Sequence, residues 1–216
     1  MVTHAEIDIV LKKLLKSQGK KTMLGRLGQK YDAFKVLIST ILSARAKDEV
    51  TEVVAADLFK KYPTAERLAK AKRKDVVRII RQIGFYNNKS RNIIKAARML
   101  MKKFGGKVPQ ELDKLLELPG VGRKVANCVL VYAFGRPALP VDTHVHRVSN
   151  RLGWVKTKSP EKTELALEKI VPRKHWLVVN EAFVSHGKSV CVPVSPFCSK
   201  CPIIKYCKRI SVLKSR

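Results

Sequence analysis

Apolar residues recur along most of this chain every three to four positions, which is the spacing of one face of an α-helix. Four such stripes are Phe34, Leu37, Ile38, Ile41 and Leu42; Val50, Val53, Val54 and Leu58; Val76, Ile79, Ile80 and Ile83; and Ile93, Ala97, Leu100, Met101 and Phe104. No segment shows the strict alternation of apolar and polar residues that is typical of a strand. We therefore predict an all-α protein.

Cap residues and one glycine- and proline-rich break predict where helices begin and where the chain divides. Ser159 followed by Pro160 is typical of a helix start. Asp142 precedes a segment, 143–152, that we expect to be helical, so its side chain can cap that helix. The break at residues 135–140 contains one glycine and two prolines, and we expect it to separate two helical lobes.

The chain is strongly basic. Its 216 residues include 45 Lys and Arg but only 17 Asp and Glu, which gives a formal net charge of +28. This excess predicts a polyanionic partner such as nucleic acid. No apolar run reaches the roughly 20 residues that a membrane span requires, and the N-terminus lacks the apolar core of a signal peptide. We expect an intracellular protein with no membrane partner, in which structural disulfides are uncommon.

The segment LPGVGRK, residues 118–124, carries the most specific chemistry in the chain. A Pro-Gly-x-Gly turn that opens a helix leaves backbone N–H groups directed outward, which makes an anion-binding site. Gly120 and Gly122 permit the unusual dihedral angles of such a turn and the close approach of a phosphate. Lys124, just inside the following helix, either holds a phosphate or acts as a nucleophile.

Four cysteines close to the end of the sequence have the spacing C-x6-C-x2-C-x5-C: Cys191, Cys198, Cys201 and Cys207. Four thiolates this close together fit either tetrahedral zinc or an iron–sulfur cluster, and spacing alone does not choose between them. The segment has almost no apolar core of its own, so that metal ligation would supply its folding free energy. Cys128 stands apart in an apolar helix and is expected to pack in the core.

Taken together, these features resemble the endonuclease III family of helix-hairpin-helix DNA glycosylases. The resemblance is carried by LPGVGRKVA, by VDTHVHR at residues 141–147, by IGFYNNK at residues 83–89 and by the complete cysteine spacing. It covers most of the chain, from about Phe34 to Cys207.

The resemblance implies two helical lobes. One is a six-helix barrel that holds the helix-hairpin-helix, residues 24–136. The other combines residues 1–23 with 137–216 and carries a [4Fe–4S] cluster in the loop 191–207.

The same resemblance implies an activity. The family excises oxidised pyrimidines and then nicks the strand at the abasic site, so the expected partner is double-stranded DNA with a damaged pyrimidine or an abasic site. Carried over, Lys124 is the nucleophile, Asp142 is the essential carboxylate and the four cysteines hold the cluster. We expect a monomer in the cytoplasm or nucleoid of a prokaryote.

Seven positions are expected to contact DNA: Gly120, Gly122, Arg123, Arg45, Phe85, His144 and Lys200. Arg45 stands where the family usually has a glutamine that fills the gap left by the extruded base. Arginine can fill the same gap and prefers guanine as its hydrogen-bond partner. The alternative is that Arg45 contacts only phosphate or solvent.

The remaining expected contacts also have structural alternatives. Phe85 stands where the family often has a leucine wedge, and an aromatic ring can intercalate equally well, but Phe85 can also be a core residue. His144 either contacts a phosphate near the pocket or has a structural role. The loop 192–197 is uncharged where the family is normally basic, which leaves Lys200 and Lys205 to replace that contact.

Three other functions remain open at this point. A monofunctional mismatch glycosylase would release a base without forming a Schiff base. A DNA-binding protein without enzymatic activity would show steeply salt-dependent binding and no product. A zinc-dependent nucleic-acid binder would be colourless. Lys124 favours the bifunctional enzyme, because relatives that do not cleave the strand usually lack a lysine at this position.

Overall fold

The chain forms two compact helical units. The computed structural model describes residues 2–19 and 21–216. One unit joins the N-terminal segment, up to Thr22, with Pro137–Arg216, and the other is Met23–Arg136. Every regular element of the described residues is helical, so the prediction of an all-α protein is confirmed.

Twelve α-helices, numbered in chain order, account for the regular structure of the described residues. They are α1 (His4–Ser17), α2 (Met23–Lys30), α3 (Ala33–Ser43), α4 (Asp48–Lys61), α5 (Ala65–Ala69), α6 (Arg73–Ile80), α7 (Tyr86–Phe104), α8 (Leu112–Leu116), α9 (Arg123–Phe134), α10 (Thr143–Leu152), α11 (Pro160–Ile170) and α12 (Trp176–Ser189). Three short 3₁₀ turns lie at Arg173–His175, Cys198–Lys200 and Ile204–Tyr206. Within these described residues, no helix is both long and apolar enough to cross a bilayer.

The unit Met23–Arg136 is built around α3. This helix is buried on all sides from Val36 to Leu42, which is the pattern of a helix enclosed by others. It packs against α2, α4, α7 and α9, and thereby fixes the helix that follows the glycine turn. Two members of the predicted stripes, Val53 and Met101, are exposed because they lie at the edges of their apolar faces.

The second unit has its own core, formed mainly by α1, α10 and α12. Phe183 is fully buried in it, and its ring centroid lies 5.3 Å from that of Trp154. The Ser159 hydroxyl accepts the backbone N–H of Lys162, and Pro160 is the first residue of α11. This cap agrees with the sequence prediction, and it fixes where α11 begins.

Candidate functional site

The glycine turn between α8 and α9 is held in place by buried residues and is open at its second glycine. Leu118 and Val121 are buried, and the Val121 N–H donates to the Leu118 carbonyl at 3.0 Å. Gly120 has φ +84°, and a Cβ there would lie 2.9 Å from Cβ of Asn92. A Cβ at Gly122 would meet nothing within 4 Å. The turn therefore presents its second glycine to open space, where an anion can approach.

Gly122 is the N-cap of α9 and supplies no side-chain hydrogen bond to the first turn of this helix. Arg123 and Lys124 are the first two residues of α9; Arg123 is exposed and Lys124 is half-buried. The N-terminal end of a helix carries partial positive charge. This end of α9 therefore combines backbone donors, a guanidinium and an amine, which is suited to a phosphodiester.

Asp142, in the other unit, is the N-cap of α10. Its Oδ1 accepts the backbone N–H groups of His144 at 2.8 Å and of Val145 at 2.9 Å. The cap predicted from the sequence is therefore present. Both bonds end on Oδ1, so that Oδ2 takes no part in the cap. One carboxylate can thus be held rigidly through one oxygen and present the other.

His144 has a structural partner on one ring nitrogen. Nη2 of Arg147 lies 3.1 Å from Nδ1 of His144 and 2.8 Å from the Gly187 carbonyl oxygen. A guanidinium only donates, so Nδ1 must accept, and the proton of a neutral ring is on Nε2. Burial lowers the pKa of His144, against the opposing effect of Asp142. Burial thus favours the neutral ring, and in the tautomer that accepts from Arg147 the Nε2 of His144 can donate.

The four cysteines of the motif line one small cavity. Two N–H donors point at their sulfurs: Nη1 of Arg151 lies 3.4 Å from Sγ of Cys191, and the Arg209 backbone N lies 3.4 Å from Sγ of Cys207. Burial raises the pKa of the Cys201 thiol to about 11. Burial therefore disfavours the Cys201 thiolate unless a cationic group is bound beside it, whereas the N–H···S contacts favour charge on the sulfurs of Cys191 and Cys207.

The described residues, 2–19 and 21–216, contain no group of three or more His, Cys, Asp or Glu side chains arranged to hold a metal ion. As in the sequence, a donor set of four thiols fits either tetrahedral zinc or an iron–sulfur cluster.

Arg45 and Phe85 lie together on the surface of the unit Met23–Arg136. The guanidinium carbon of Arg45 is 5.9 Å from the centroid of the Phe85 ring. Both residues have left-handed backbones, with φ of +53° and +60°. Phe85 is 60% exposed, so the alternative that it is a core residue is wrong. A Cβ at Gly84 would lie 3.6 Å from the Arg45 carbonyl oxygen, which shows how closely the two loops approach.

An arginine side chain, that of Arg216, packs against the uncharged loop 192–197, and the sequence did not predict this contact. The guanidinium carbon of Arg216 lies 4.0 Å from the centroid of the Phe197 ring, and its Nε donates to the Ser195 carbonyl at 3.0 Å. Lys200, in the 3₁₀ turn Cys198–Lys200, and Lys205 are exposed. Nothing in the spacing of the sequence indicated that residue 216 returns to this loop.

Lys89 and Arg151 are two further residues that sequence reasoning did not single out. Both are buried, with exposures of 6% and 9%. Arg151 donates to the carbonyls of Val192 and Pro193, each at 2.7 Å. Their burial depends on distant segments, although Lys89 does fall within the IGFYNNK segment.

The fold is helical, a glycine turn with a lysine directly after it opens one helix, and four cysteines line one cavity. Together these features define a helix-hairpin-helix protein of the repair-glycosylase type. Residues 38–173 match the model of the HhH-GPD superfamily base excision DNA repair proteins. The chain belongs to this family, and the resemblance seen in the sequence is confirmed.

Curated relatives and solved structures agree with this assignment. The chain is 50% identical over 177 residues to endonuclease III of Thermotoga maritima, covering 82% of this chain and 83% of the relative. A solved non-covalent endonuclease III–DNA complex has a TM-score of 0.86 at 37% identity, with 97% of each chain covered. A trapped endonuclease III–DNA covalent intermediate has a TM-score of 0.83 at 36% identity, again with 97% of each chain covered.

Proposed function

We propose that this protein is a bifunctional DNA glycosylase that removes oxidised pyrimidines from double-stranded DNA and then cleaves the strand at the abasic site. The observation that carries the proposal is the position of Lys124, the second residue of α9, directly behind the open glycine turn. Endonuclease III relatives at up to 50% identity support it. So does the likeness to a structure in which endonuclease III is covalently trapped on DNA.

The hairpin would bind the backbone of the damaged strand. The N–H groups at the start of α9 and the Arg123 guanidinium offer donors to a phosphate. The open space above Gly122 lets the phosphate approach the backbone closely. With the strand held there, the damaged base is extruded from the stack, which costs less for a poorly paired base.

Lys124 would supply the covalent chemistry. Its neutral amine attacks C1′ of the deoxyribose while the C1′–N bond to the base breaks and the base takes the electron pair. Nζ then loses a proton, and its electron pair forms the C1′=Nζ bond as the C1′–O4′ bond breaks and O4′ takes up a proton, which gives the protonated Schiff base. The iminium acidifies the C2′ proton; its removal forms the C2′–C3′ double bond and expels the 3′ phosphate. Hydrolysis of the imine then frees Lys124.

Asp142 would assist this step through Oδ2. A carboxylate can stabilise the positive charge that develops on the sugar, or it can accept and return a proton. The Oδ1 cap on α10 supplies the rigidity that either role requires, because a rigid group loses no free energy in reorganising.

Arg45 and Phe85 would enter the duplex beside the extruded base. Phe85 is exposed and aromatic, as a wedge between base pairs must be. Arg45 would fill the gap and favour guanine as the opposite base. His144, through Nε2, and Lys200 would contact phosphates that flank the site.

We also infer that the cysteine cavity holds a [4Fe–4S] cluster, ligated by Cys191, Cys198, Cys201 and Cys207. The donor set of four thiols and two N–H···S contacts fits such a group. When bound, the cluster supplies the ligation that orders a segment with almost no core of its own. The chain around it then holds the loop 191–207 in a fixed shape against DNA.

Borohydride trapping tests the enzymatic proposal. The purified protein is incubated with a duplex that contains one thymine glycol, with sodium borohydride present, and the experiment is repeated with Lys124→Gln. Lys114→Gln, an exposed lysine of α8 in the same hairpin, is the matched control. We expect a covalent adduct with the wild-type and control proteins, and none with Lys124→Gln.

Other outcomes would select another function. Release of the base without an adduct would favour a monofunctional glycosylase. An adduct that persists in Lys124→Gln would assign the nucleophile to another amine. Binding without product on either the lesion duplex or an abasic-site duplex would leave a DNA-binding protein.

A further inference from the structure

Lys89 is a buried amine with one defined partner. It lies in the first turn of α7 and is only 6% exposed. Its Nζ donates to the Leu42 carbonyl oxygen at 2.8 Å. Leu42 is in the last turn of α3, where the final carbonyls of a helix have no intrahelical partner. A lysine is almost never fully buried unless it is paired, and the Leu42 carbonyl is the partner here.

The same residue also reaches the start of α7 through its backbone. The Lys89 N–H donates to the Phe85 carbonyl at 3.0 Å, and Phe85 is the N-cap of α7. Arg45 follows Leu42 by three positions, just beyond the end of α3. Lys89 therefore joins the end of one helix to the start of another, at the two loops that carry Arg45 and Phe85.

Both loops need such a constraint. A non-glycine residue with positive φ costs on the order of 1 kcal/mol or more, and it persists only where its surroundings determine it. Arg45 and Phe85 both have such a backbone, and the guanidinium carbon of Arg45 lies 5.9 Å from the centroid of the Phe85 ring. A cation close to the C-terminal end of α3 is also favoured by the helix dipole, which offsets part of the cost of burying the amine.

We propose that Lys89 is a positioning residue that ties the end of α3 to the start of α7 and thereby holds Arg45 and Phe85 as one preassembled probe of the DNA duplex. This inference rests on the proposed entry of Arg45 and Phe85 into DNA. A probe held ready before binding requires no ordering when the base is extruded, so that the free energy of binding is available for extrusion. Lys89 itself touches no DNA in this scheme.

A double-mutant cycle tests whether Lys89 acts through the pair. The variants are Lys89→Met, the pair Arg45→Ala with Phe85→Ala, and all three changes together; kcat/KM is measured on a thymine glycol duplex. We expect Lys89→Met alone to lower kcat/KM by about tenfold to a hundredfold, as a misplacement of about 1 Å can do. In the pair background it should cause no further loss, because coupled residues are not additive.

Two controls separate positioning from a general structural role. Lys60→Met removes an exposed lysine of α4 that pairs with Asp57 and should leave kcat/KM unchanged. Amide hydrogen exchange without DNA should increase in residues 43–47 and 84–88 of Lys89→Met and stay unchanged in α9. If Lys89→Met does not fold, Lys89→Gln replaces it, since it retains an N–H donor.

Three results would overturn the proposal. Losses that add in the triple variant would show that Lys89 acts elsewhere, and uniformly faster exchange across the unit would show a general loss of stability. Full activity in Lys89→Met would remove its role while leaving the DNA contact of Arg45 and Phe85 intact. The pair variant by itself reports on that contact, so failure of the contact and failure of the positioning role are distinguishable.

Discussion

Arg151 donates an N–H to the sulfur of Cys191 at 3.4 Å from inside the second unit. The same guanidinium donates to two backbone carbonyls of the loop that follows Cys191, both at 2.7 Å. One buried cation thus fixes the Cys191 sulfur and the loop after it. Since hydrogen bonds around a ligand orient it and tune its basicity, Arg151 links the packing of α10 to the cysteine cavity.

We therefore expect Arg151→Met to weaken retention of the metal cluster that we propose for the four cysteines. The change removes the donor of two backbone carbonyls, those of Val192 and Pro193, and the N–H contact to the Cys191 sulfur. Iron content and visible absorbance of the purified protein should both fall, whereas Lys158→Met, an exposed lysine of the same unit, should change neither. Equal iron content in Arg151→Met and wild type would contradict the assignment.

Asp142 offers a test that separates capping from catalysis. Asparagine is as good an N-cap as aspartate, so Asp142→Asn should lower the free energy of unfolding by less than about 1 kcal/mol. Asp142→Ala should lower it by about 1 kcal/mol. Both should reduce base excision by about a hundredfold or more, because both remove the carboxylate charge. If the rate of excision instead falls only as far as the free energy of unfolding does, and Asp142→Asn is nearly fully active, then Asp142 is only a helix cap.

Much of the local structure could be predicted from the sequence. The bounds of α10, the caps at Asp142 and Ser159 and the burial of Cys128 follow from rules that act over a few residues. The long-range contacts could not. Lys89 meets Leu42 across 47 positions and Arg151 meets Cys191 across 40, and a lysine or arginine in a helix otherwise predicts a solvated surface.

The left-handed backbones of Arg45 and Phe85 could not be predicted from the sequence, for a related reason. Neither residue type favours positive φ, so local propensity predicts the opposite, and only the packing between α3 and α7 determines it. At Arg45 and Phe85 the sequence rules thus failed at two proposed DNA contacts. This is expected where strain is retained for function.

Arg45→Gln should change the preference for the opposite base. Arginine bonds well to guanine, whereas glutamine pairs best with adenine. We expect the ratio of kcat/KM for thymine glycol opposite guanine to that opposite adenine to fall by about tenfold, since a good bidentate contact discriminates by about 1–3 kcal/mol. An unchanged ratio with lower overall affinity would show that Arg45 contacts only phosphate.

Lys89 should give the protein a specific pH dependence of stability. Burial lowers its pKa from 10.5 to about 8. Between pH 8 and pH 10.5 the unfolded chain binds more protons at this group than the folded chain does, so that the free energy of unfolding increases as the pH rises through this range. Below this range, the burial of the charged amine lowers the free energy of unfolding. From about pH 7 to pH 10, wild type should gain up to about 3 kcal/mol over Lys89→Met, at about 1.4 kcal/mol per pKa unit.

Urea unfolding of both proteins at the two pH values measures this gain. The comparison with Lys89→Met removes the general effect of lowering the net charge, because all other lysines are common to both proteins. A difference in unfolding free energy that stays constant with pH would contradict a depressed Lys89 pKa.

The two glycines of the turn should respond differently to alanine. At Gly120 the backbone has φ +84° and a Cβ would press on Asn92, so Gly120→Ala should clearly destabilise the fold. At Gly122 a Cβ has open space, so Gly122→Ala should cost less than about 1 kcal/mol as a weaker cap. It should nevertheless weaken DNA binding, because the added methyl group occupies the approach to the first N–H groups of α9.

Thermal unfolding and DNA binding at several salt concentrations measure the two effects separately. Gly122→Ala should lower affinity about equally at every salt concentration, because it removes no charge, whereas Arg123→Met should reduce the salt slope by about one unit. If Gly122→Ala binds like wild type, the phosphate does not approach this turn, and the basic surface alone binds DNA. A lower affinity with an unchanged unfolding temperature would instead place the phosphate at the N-terminus of α9, directly before Lys124.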